Sequence, residues 1–191
     1  MTVEFDQLFS SSITDGVRGI HGHLSQTERT ELFVCYLFSQ ALARETGRQI
    51  SILNHHKFQN SHDCDGFEKR RKLSIELTQV VGSKGEEVRG NAALSSTICE
   101  VVEKKLSRMY DSLSKSDFIL LVYQFRFIRS IGEYLKSGYI RVEDVVIPAR
   151  HTLGNASYQP FNEVWFLRIN VGRKVTPEKP VQLWPYSEVN S

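Results

Sequence analysis

The chain of 191 residues is long enough for one globular domain, and 40% hydrophobic with 24% charged residues is sufficient for an ordinary core. This composition excludes a disordered or collagen-like chain. Twenty-four basic against 22 acidic residues give a net charge of +2, so nucleic-acid binding would have to come from local clusters rather than bulk charge. We expect one domain over 1–191, with a core over about 25–170, an irregular lead-in over 1–24 and an extended tail over 171–191.

Three features predict the cellular compartment. No apolar run approaches the roughly 18 residues that span a bilayer, so we expect no membrane contact. The acidic start Met1-Thr-Val-Glu-Phe-Asp has no basic segment followed by an apolar one, so no secretory signal is expected. Three widely spaced cysteines, Cys35, Cys64 and Cys99, are typical of free thiols. Together these features predict a cytoplasmic protein.

The first predicted element is a helix. Ser25 and Glu28 fit a capping box, in which a hydroxyl and a carboxylate satisfy free backbone amides of the first turn. The segment to Glu45 has apolar residues on nearly every side, which predicts burial on more than one face. Gly47 suits the left-handed position that closes a helix.

Strands follow the helix. Residues 48–58 predict a first strand, and residues 62–67 with 72–81 predict a hairpin around Lys69-Arg70-Arg71. The second arm alternates apolar and polar positions, as a strand with one buried face does. The stretch 82–95 is rich in Gly, Ser, Lys and Glu and predicts a mobile loop.

The second half of the chain continues the alternation. A second capping box, Thr97 with Glu100, predicts a helix to about residue 114. The continuous apolar run 117–123 is typical of a strand buried on both faces. A short helix over 125–137 and a strand over 162–169 complete the pattern. This order predicts an α/β fold with a mixed central β-sheet flanked by helices.

Acidic side chains on the hairpin are the most informative chemical feature. A tight turn places Glu76 opposite Asp65 or opposite Asp63, depending on the register. Either register brings carboxylates of two strands to one face, where Thr78 also lies. A divalent cation would reduce their repulsion, and Mg²⁺ prefers one or two carboxylates together with waters and phosphate oxygens.

At these residues the sequence resembles the PD-(D/E)XK nuclease superfamily. Asp65-Gly-Phe followed by Leu-Ser-Ile-Glu76-Leu-Thr78 matches its motif in order, spacing and apolar context, although Cys64 replaces the family proline and Thr78 the family lysine. The resemblance implies a restriction-endonuclease-like αβββαβ core and Mg²⁺- or Mn²⁺-dependent cleavage of nucleic acid, DNA above all. Asp65 and Glu76 would bind the metal, and Glu31 on the first helix would orient a ligand or water. Because such enzymes often cut two strands as dimers, a homodimer is a further expectation.

Some family members carry the lysine on the helix that follows the motif. At 100° per residue, with Ile98 at 0°, Lys105 falls at 340°, inside the apolar stripe, and Lys104 falls at 240°, outside it. Burial of an ammonium group is unfavourable unless it is paired. Lys105 therefore either extends its ammonium to solvent or meets the hairpin carboxylates, where it would stabilise the attacking water or the developing charge.

Simpler readings of the same residues remain open. The hairpin acids would then lie on an exposed polar strand face. If the nuclease interpretation holds, Glu76→Gln is expected to abolish Mg²⁺-dependent cleavage with little change in folding, because an exposed strand carboxylate seldom matters to stability. The chain could also be a nucleic-acid-binding module that has lost catalysis, or an interaction protein. The cluster 68–72 would be a solvated hairpin tip or a phosphate contact. The group His55, His56, His62 and Cys64 fits no paired zinc-ligand spacing.

Overall fold

The computed structural model describes residues 25–55, 62–82, 85–88, 90–107, 117–128, 142–153, 161–172 and 174–185. Within these ranges the chain forms three α-helices and seven β-strands. The helices are α1 (Gln26–Thr46), α2 (Asn91–Leu106) and α3 (Val142–Leu153). The strands are β1 (Ile50–His55), β2 (Cys64–Glu68), β3 (Arg71–Gln79), β4 (Asp117–Phe127), β5 (Glu163–Val171), β6 (Val175–Pro177) and β7 (Val181–Trp184).

Both predicted ends of α1 are confirmed. The Ser25 side chain accepts a hydrogen bond from the Glu28 amide, and the Glu28 carboxylate accepts one from the Ser25 amide. At the other end Gly47 adopts a left-handed conformation, with φ 74°, that a side chain would make unfavourable. The caps fix the length of the helix, and its buried residues attach it to the sheet.

The strands form one mixed sheet in the order β1-β2-β3-β4-β5-β6, and β7 also pairs with β5. The first three strands are antiparallel, whereas β3–β4 and β4–β5 are parallel. The parallel β3–β4 pair is the arrangement expected of two strands that are joined through a helix, here α2. The protein is therefore an α/β protein whose mixed sheet is flanked by helices.

The core has two layers because successive strand residues point to opposite faces. Odd-numbered residues of β3 and β4 pack against α1, and even-numbered residues of β4 and β5 pack against α2 and α3. The burial of β4 on both faces confirms the prediction from its continuous apolar run. None of the described helices is long and apolar enough to cross a bilayer.

Several predicted boundaries are wrong, among them the end of α2, which lies at Leu106 with Ser107 as the C-cap instead of near residue 114. Helix α2 begins at Asn91, after Gly90, so the loop ends earlier than residue 95; inside the helix the Thr97 hydroxyl donates to the Ala93 carbonyl instead of capping it. Leu94 and Ser95 are buried, which shows that tertiary packing extends the helix. Residues 125–127 continue strand β4 rather than starting a helix, and the rest of that predicted helix, beyond residue 128, lies outside the described ranges.

In the described part of the tail, strands β6 and β7 join the sheet through β5, and residues 186–191 lie outside the described ranges. Leu183 of β7 is fully buried in the layer beneath α3, so this part of the tail also contributes to the core.

One arginine joins distant parts of the sheet. Arg48, which precedes β1, donates to both carboxylate oxygens of Glu68 at the end of β2 at 2.8 and 2.9 Å. It also donates to both oxygens of Glu163 at the start of β5, at 2.9 and 3.1 Å, and lies 5.9 Å from the centre of a Trp165 ring. These contacts, called here the Arg48 clamp, tie the β1–β2 edge to a strand three places from β2 in the sheet.

Candidate functional site

The structure decides between the two registers of the hairpin. Cys64 pairs with Ile75 and Asp65 pairs with Ser74, so the ladder excludes the register in which Asp65 lies opposite Glu76. Beyond the end of this ladder, the Asp63 amide donates to the Ile75 carbonyl at 3.0 Å. Asp63, the alternative to Asp65, therefore lies beside Ile75, one residue from Glu76 along β3.

The register follows from the turn. Only Lys69 and Arg70 separate the two strands, and Glu68 pairs with Arg71. Lys69 has φ 56°, the left-handed conformation that tight turns require. The usual signal for such a turn is Gly or Asn at this position, and Lys gives none, which is why the sequence left the register open.

Glu76 lies inside the protein, so the expectation of an exposed strand carboxylate is wrong. Its residue exposure is 2%, and that of Lys105 on α2 is 9%. The Lys105 ammonium donates to Glu76 Oε1. The prediction that Lys105 meets a hairpin carboxylate is confirmed, since its position within the apolar stripe of α2 aims it at the even-numbered face of β3.

Asp63 occupies the point where β2 leaves the sheet. Its Oδ2 accepts a hydrogen bond of 2.7 Å from the Leu77 amide, so the side chain replaces the backbone partner that β2 no longer provides. Burial first, and then the nearby Glu76 carboxylate, raise the pKa of Asp63 to about 7. The Leu77 hydrogen bond and the Lys105 charge oppose this rise without cancelling it.

Glu31 approaches the same carboxylate from helix α1. It lies near enough to Asp63 to raise the pKa of that group. It also contributes to the raised pKa of Tyr123, a buried β4 residue whose shift comes first from burial, with further contributions from Glu31 and Asp63. Sequence reasoning missed Tyr123, and its one signal was a phenol at the end of an apolar run. Asp63 thus interacts with α1, β3, α2 and β4 groups.

Asp65, the residue favoured by the motif, has a different setting. It lies opposite Ser74, and its exposure is 8%. His62 Nε2 lies 2.7 Å from Asp65 Oδ1, and the Lys72 ammonium lies 3.3 Å from the same oxygen. The His62 ring also packs edge-on against Phe118. Two cationic or hydrogen-bonding partners therefore already surround this carboxylate.

The donor set is small. Among the described side chains, no group of three His, Cys, Asp or Glu residues is arranged to hold one metal ion. Asp63 and Glu76 form a pair of carboxylates, which agrees with the one or two that Mg²⁺ takes when waters and phosphate supply the other oxygens. The raised pKa of Asp63 reflects burial and an excess of negative charge that Lys105 does not balance. An added cation at this point would relieve that excess.

The remaining candidates are only partly visible. Thr78, in the place of the family lysine, is half-buried on β3, on the same face as Glu76. The three cysteines are free and buried, and the histidine at position 56 lies outside the described residues. No family model matches the chain, and neither the curated proteins nor the solved structures contain a match.

Proposed function

We propose that the protein is a metal-dependent nuclease that cleaves phosphodiester bonds of nucleic acid, most readily those of DNA. One observation carries the proposal: Asp63 lies close enough to Glu76 for the two carboxylates to interact, and Lys105 reaches Glu76 from the next helix. The element order helix, three strands, helix, strand supports the restriction-endonuclease-like core that the motif resemblance implies.

The position of Lys105 supports the proposal because the motif lacks its lysine. Thr78 cannot supply a positive charge beside the acids, and α2 supplies one instead. An ammonium held in a buried site is preorganised, so it can stabilise negative charge that develops during the reaction.

Each residue then has a defined role. Asp63 and Glu76 hold Mg²⁺ or Mn²⁺, with Asp63 taking the role that the motif assigns to Asp65. The metal supplies shielding of the phosphodiester charge and a bound water of lowered pKa. Lys105 stabilises the attacking water or the phosphorane charge, and Glu31 keeps its role of orienting a ligand or water beside Asp63.

Asp63→Asn is the sharpest test. The amide oxygen can still accept the Leu77 hydrogen bond, while the negative charge that repels Glu76 is lost. We expect wild type to cut DNA in Mn²⁺ or Mg²⁺ and to gain thermal stability from Mn²⁺. Asp63→Asn should lose both properties without losing its fold, and Asp144→Asn, an exposed change on α3, should keep both.

Two results would contradict the proposal. One is wild-type protein that cleaves neither single-stranded nor duplex substrates in either metal. The other is equal cleavage by wild type and Asp63→Asn, since cleavage would then not depend on the carboxylate at this position.

A second candidate is a nuclease-like module that binds nucleic acid or protein without catalysis. The burial of Glu76 to 2% exposure and its direct pairing with Lys105 favour it, because a metal and a phosphate would have to enter this pair. Nucleic-acid binding without cleavage distinguishes this module from the enzyme, and the absence of binding would leave a protein-interaction role.

A further inference from the structure

The tip of the β2–β3 hairpin carries four consecutive basic residues, all of them exposed. They are Lys69, Arg70, Arg71 and Lys72. The acid next to them in sequence, Glu68, is bound in two places by Arg48. Arg71 forms an ion pair with Asp117 and Lys72 with Asp65, so the positive charge that the tip offers to a ligand lies mainly on Lys69 and Arg70.

An aromatic ring lies beside this charge. Phe67 on β2 is 36% exposed, and it is the register partner of Lys72 on β3, so their side chains share one face of the sheet. Leu53, at the bulge in the neighbouring strand β1, is 44% exposed. An exposed ring with lysine at its side and further cations at the turn is the combination that binds stacked bases and phosphates together.

The backbone of the turn supports a role for the charge. Lys69 adopts φ 56°, a conformation that Gly or Asn adopts with less strain. The turn nevertheless carries lysine. Lysine at this position therefore costs some conformational energy, and a turn that only contacts solvent would gain nothing in return.

We propose that the hairpin tip binds single-stranded nucleic acid, with a base stacked on Phe67 and the phosphates contacted by Lys69 and Arg70. Stacking requires an unpaired base, so a single strand is favoured over a duplex. DNA and RNA share this chemistry, and the test below contains an arm for each.

The tip and the candidate site lie on the same hairpin. The Phe67–Lys72 pair is separated from the Asp63–Glu76 pair by four residues along each strand, about 13 Å at the usual rise of a strand. A single-stranded nucleic acid bound at the tip could then extend toward Asp63 and Glu76. Only this path rests on the proposed function, since binding at the tip does not require cleavage.

The test measures binding of labelled dT20 and rU20 oligonucleotides in EDTA, where metal-dependent cleavage cannot occur. Wild type should bind both. Phe67→Leu keeps an apolar side chain and removes the ring, so it should weaken binding by about 5- to 150-fold, the range for loss of one stacked base. Phe127→Leu is the matched control, because Phe127 is also exposed, at the far end of β4, and should bind as wild type does.

The phosphate contacts are tested separately. Lys69→Asn removes the charge and relaxes the left-handed turn, so it should retain its melting temperature while the slope of log affinity against log salt falls by about 0.7. Lys179→Asn, an exposed change in the segment between β6 and β7, should leave the slope unchanged.

A direct optical readout completes the set. In Phe67→Trp the new indole should be quenched when dT20 stacks on it, whereas the indole of Phe127→Trp should not respond. The inference is overturned if wild type does not bind single strands, if duplex binds more tightly than single strands, or if Phe67→Leu and Phe127→Leu behave alike. Binding in EDTA without cleavage in Mn²⁺ would overturn the nuclease and keep the interface.

Discussion

At the scale of single residues, the buried pair of Glu76 and Lys105 dominates the even-numbered face of β3. A buried ion pair contributes little net stability compared with an apolar pair of the same volume, but removing one partner leaves the other charge uncompensated. Each single variant should therefore lose more stability than the double variant.

We expect Lys105→Met to lower the free energy of unfolding by about 3 kcal/mol, because Glu76 then keeps its burial and loses its ammonium partner. The double variant Glu76→Gln with Lys105→Met should recover much of this loss. Denaturant titration measures both values. Lys104→Met, on the exposed side of α2, should stay within about 0.5 kcal/mol of wild type. Equal losses for Lys104→Met and Lys105→Met would contradict the pairing.

Asp63 gives a prediction about pH. Its pKa in the folded protein is about 7, against about 3.9 for an unfolded aspartate, so the folded state holds the proton more tightly. The resulting stability is fully present below about pH 4 and is lost as the pH rises through about 7. The groups that face Asp63 are Glu76 on β3, Glu31 on α1 and Lys105 on α2.

Asp63→Asn should remove this dependence. Relative to Asp144→Asn, it should raise the free energy of unfolding at pH 8 by an amount on the order of 2 kcal/mol, and change it much less at pH 4. Urea midpoints at the two pH values measure the difference. A wild-type profile no steeper between pH 4 and 8 than that of Asp63→Asn would show that this carboxyl titrates normally.

The same residues show what a sequence can reveal. The position of Lys105 on the apolar stripe was sufficient to predict its meeting with Glu76, because helix geometry is regular. The sequence could not decide between Asp63 and Asp65, because the choice of register, a shift of two residues, depends on a turn without Gly or Asn. The burial of Glu76 came from the packing of α2 over β3, which no local pattern encodes.

At the scale of elements, the hairpin packs closely against β1 at a glycine in β2, Gly66. A Cβ on Gly66 would lie 3.1 Å from Ile50 Cγ2 and 3.2 Å from the Ser51 carbonyl oxygen. The glycine lies between Asp65 and Phe67. A shift of its backbone would therefore move the Asp65 carboxylate on one side and the Phe67 ring on the other.

Gly66→Ala should therefore destabilise the protein, by about 1–3 kcal/mol, the usual range for overpacking a tight site. Thermal unfolding measures the loss. The backbone shift should also weaken dT20 binding, because Phe67 is the next residue. Gly85→Ala is a useful contrast, since no atom lies within 4 Å of a Cβ there and its cost comes only from its left-handed φ of 76°. A melting temperature for Gly66→Ala at or above that of wild type would contradict the close approach.

Element boundaries were predicted where local chemistry sets them. The capping box and Gly47 gave both ends of α1, and the apolar run gave β4. The predicted start of α2 was wrong for two reasons. Gly90 has no side chain to signal a cap, and Leu94 and Ser95 become buried only when the helix packs against the sheet. Tertiary packing outweighed the Thr97 signal in this case.

At the scale of the whole molecule, the Arg48 clamp connects strands that the ladder alone does not connect. Its hydrogen bonds with Glu68 hold the pKa of that carboxyl below its ordinary value, so the pair remains charged in mildly acidic solution. No local sequence pattern predicts the Arg48 clamp, because its residues lie in three separate segments of the chain. Overall class was predictable from the alternation of elements, whereas this long-range closure was not.

The clamp also orders events during synthesis. Arg48 and Glu163 are 115 residues apart, so the ribosome synthesises α1 and strands β1, β2 and β3 long before it synthesises β5, which carries Glu163. Until then, Glu68 is the one carboxylate of the clamp that Arg48 can bind, and the three strands can already pack against α1. Contacts between such distant positions form slowly, because a long loop has to close first. A ribosome translating this chain therefore exposes the acidic pair and the basic tip to the cell before the sheet around them is finished.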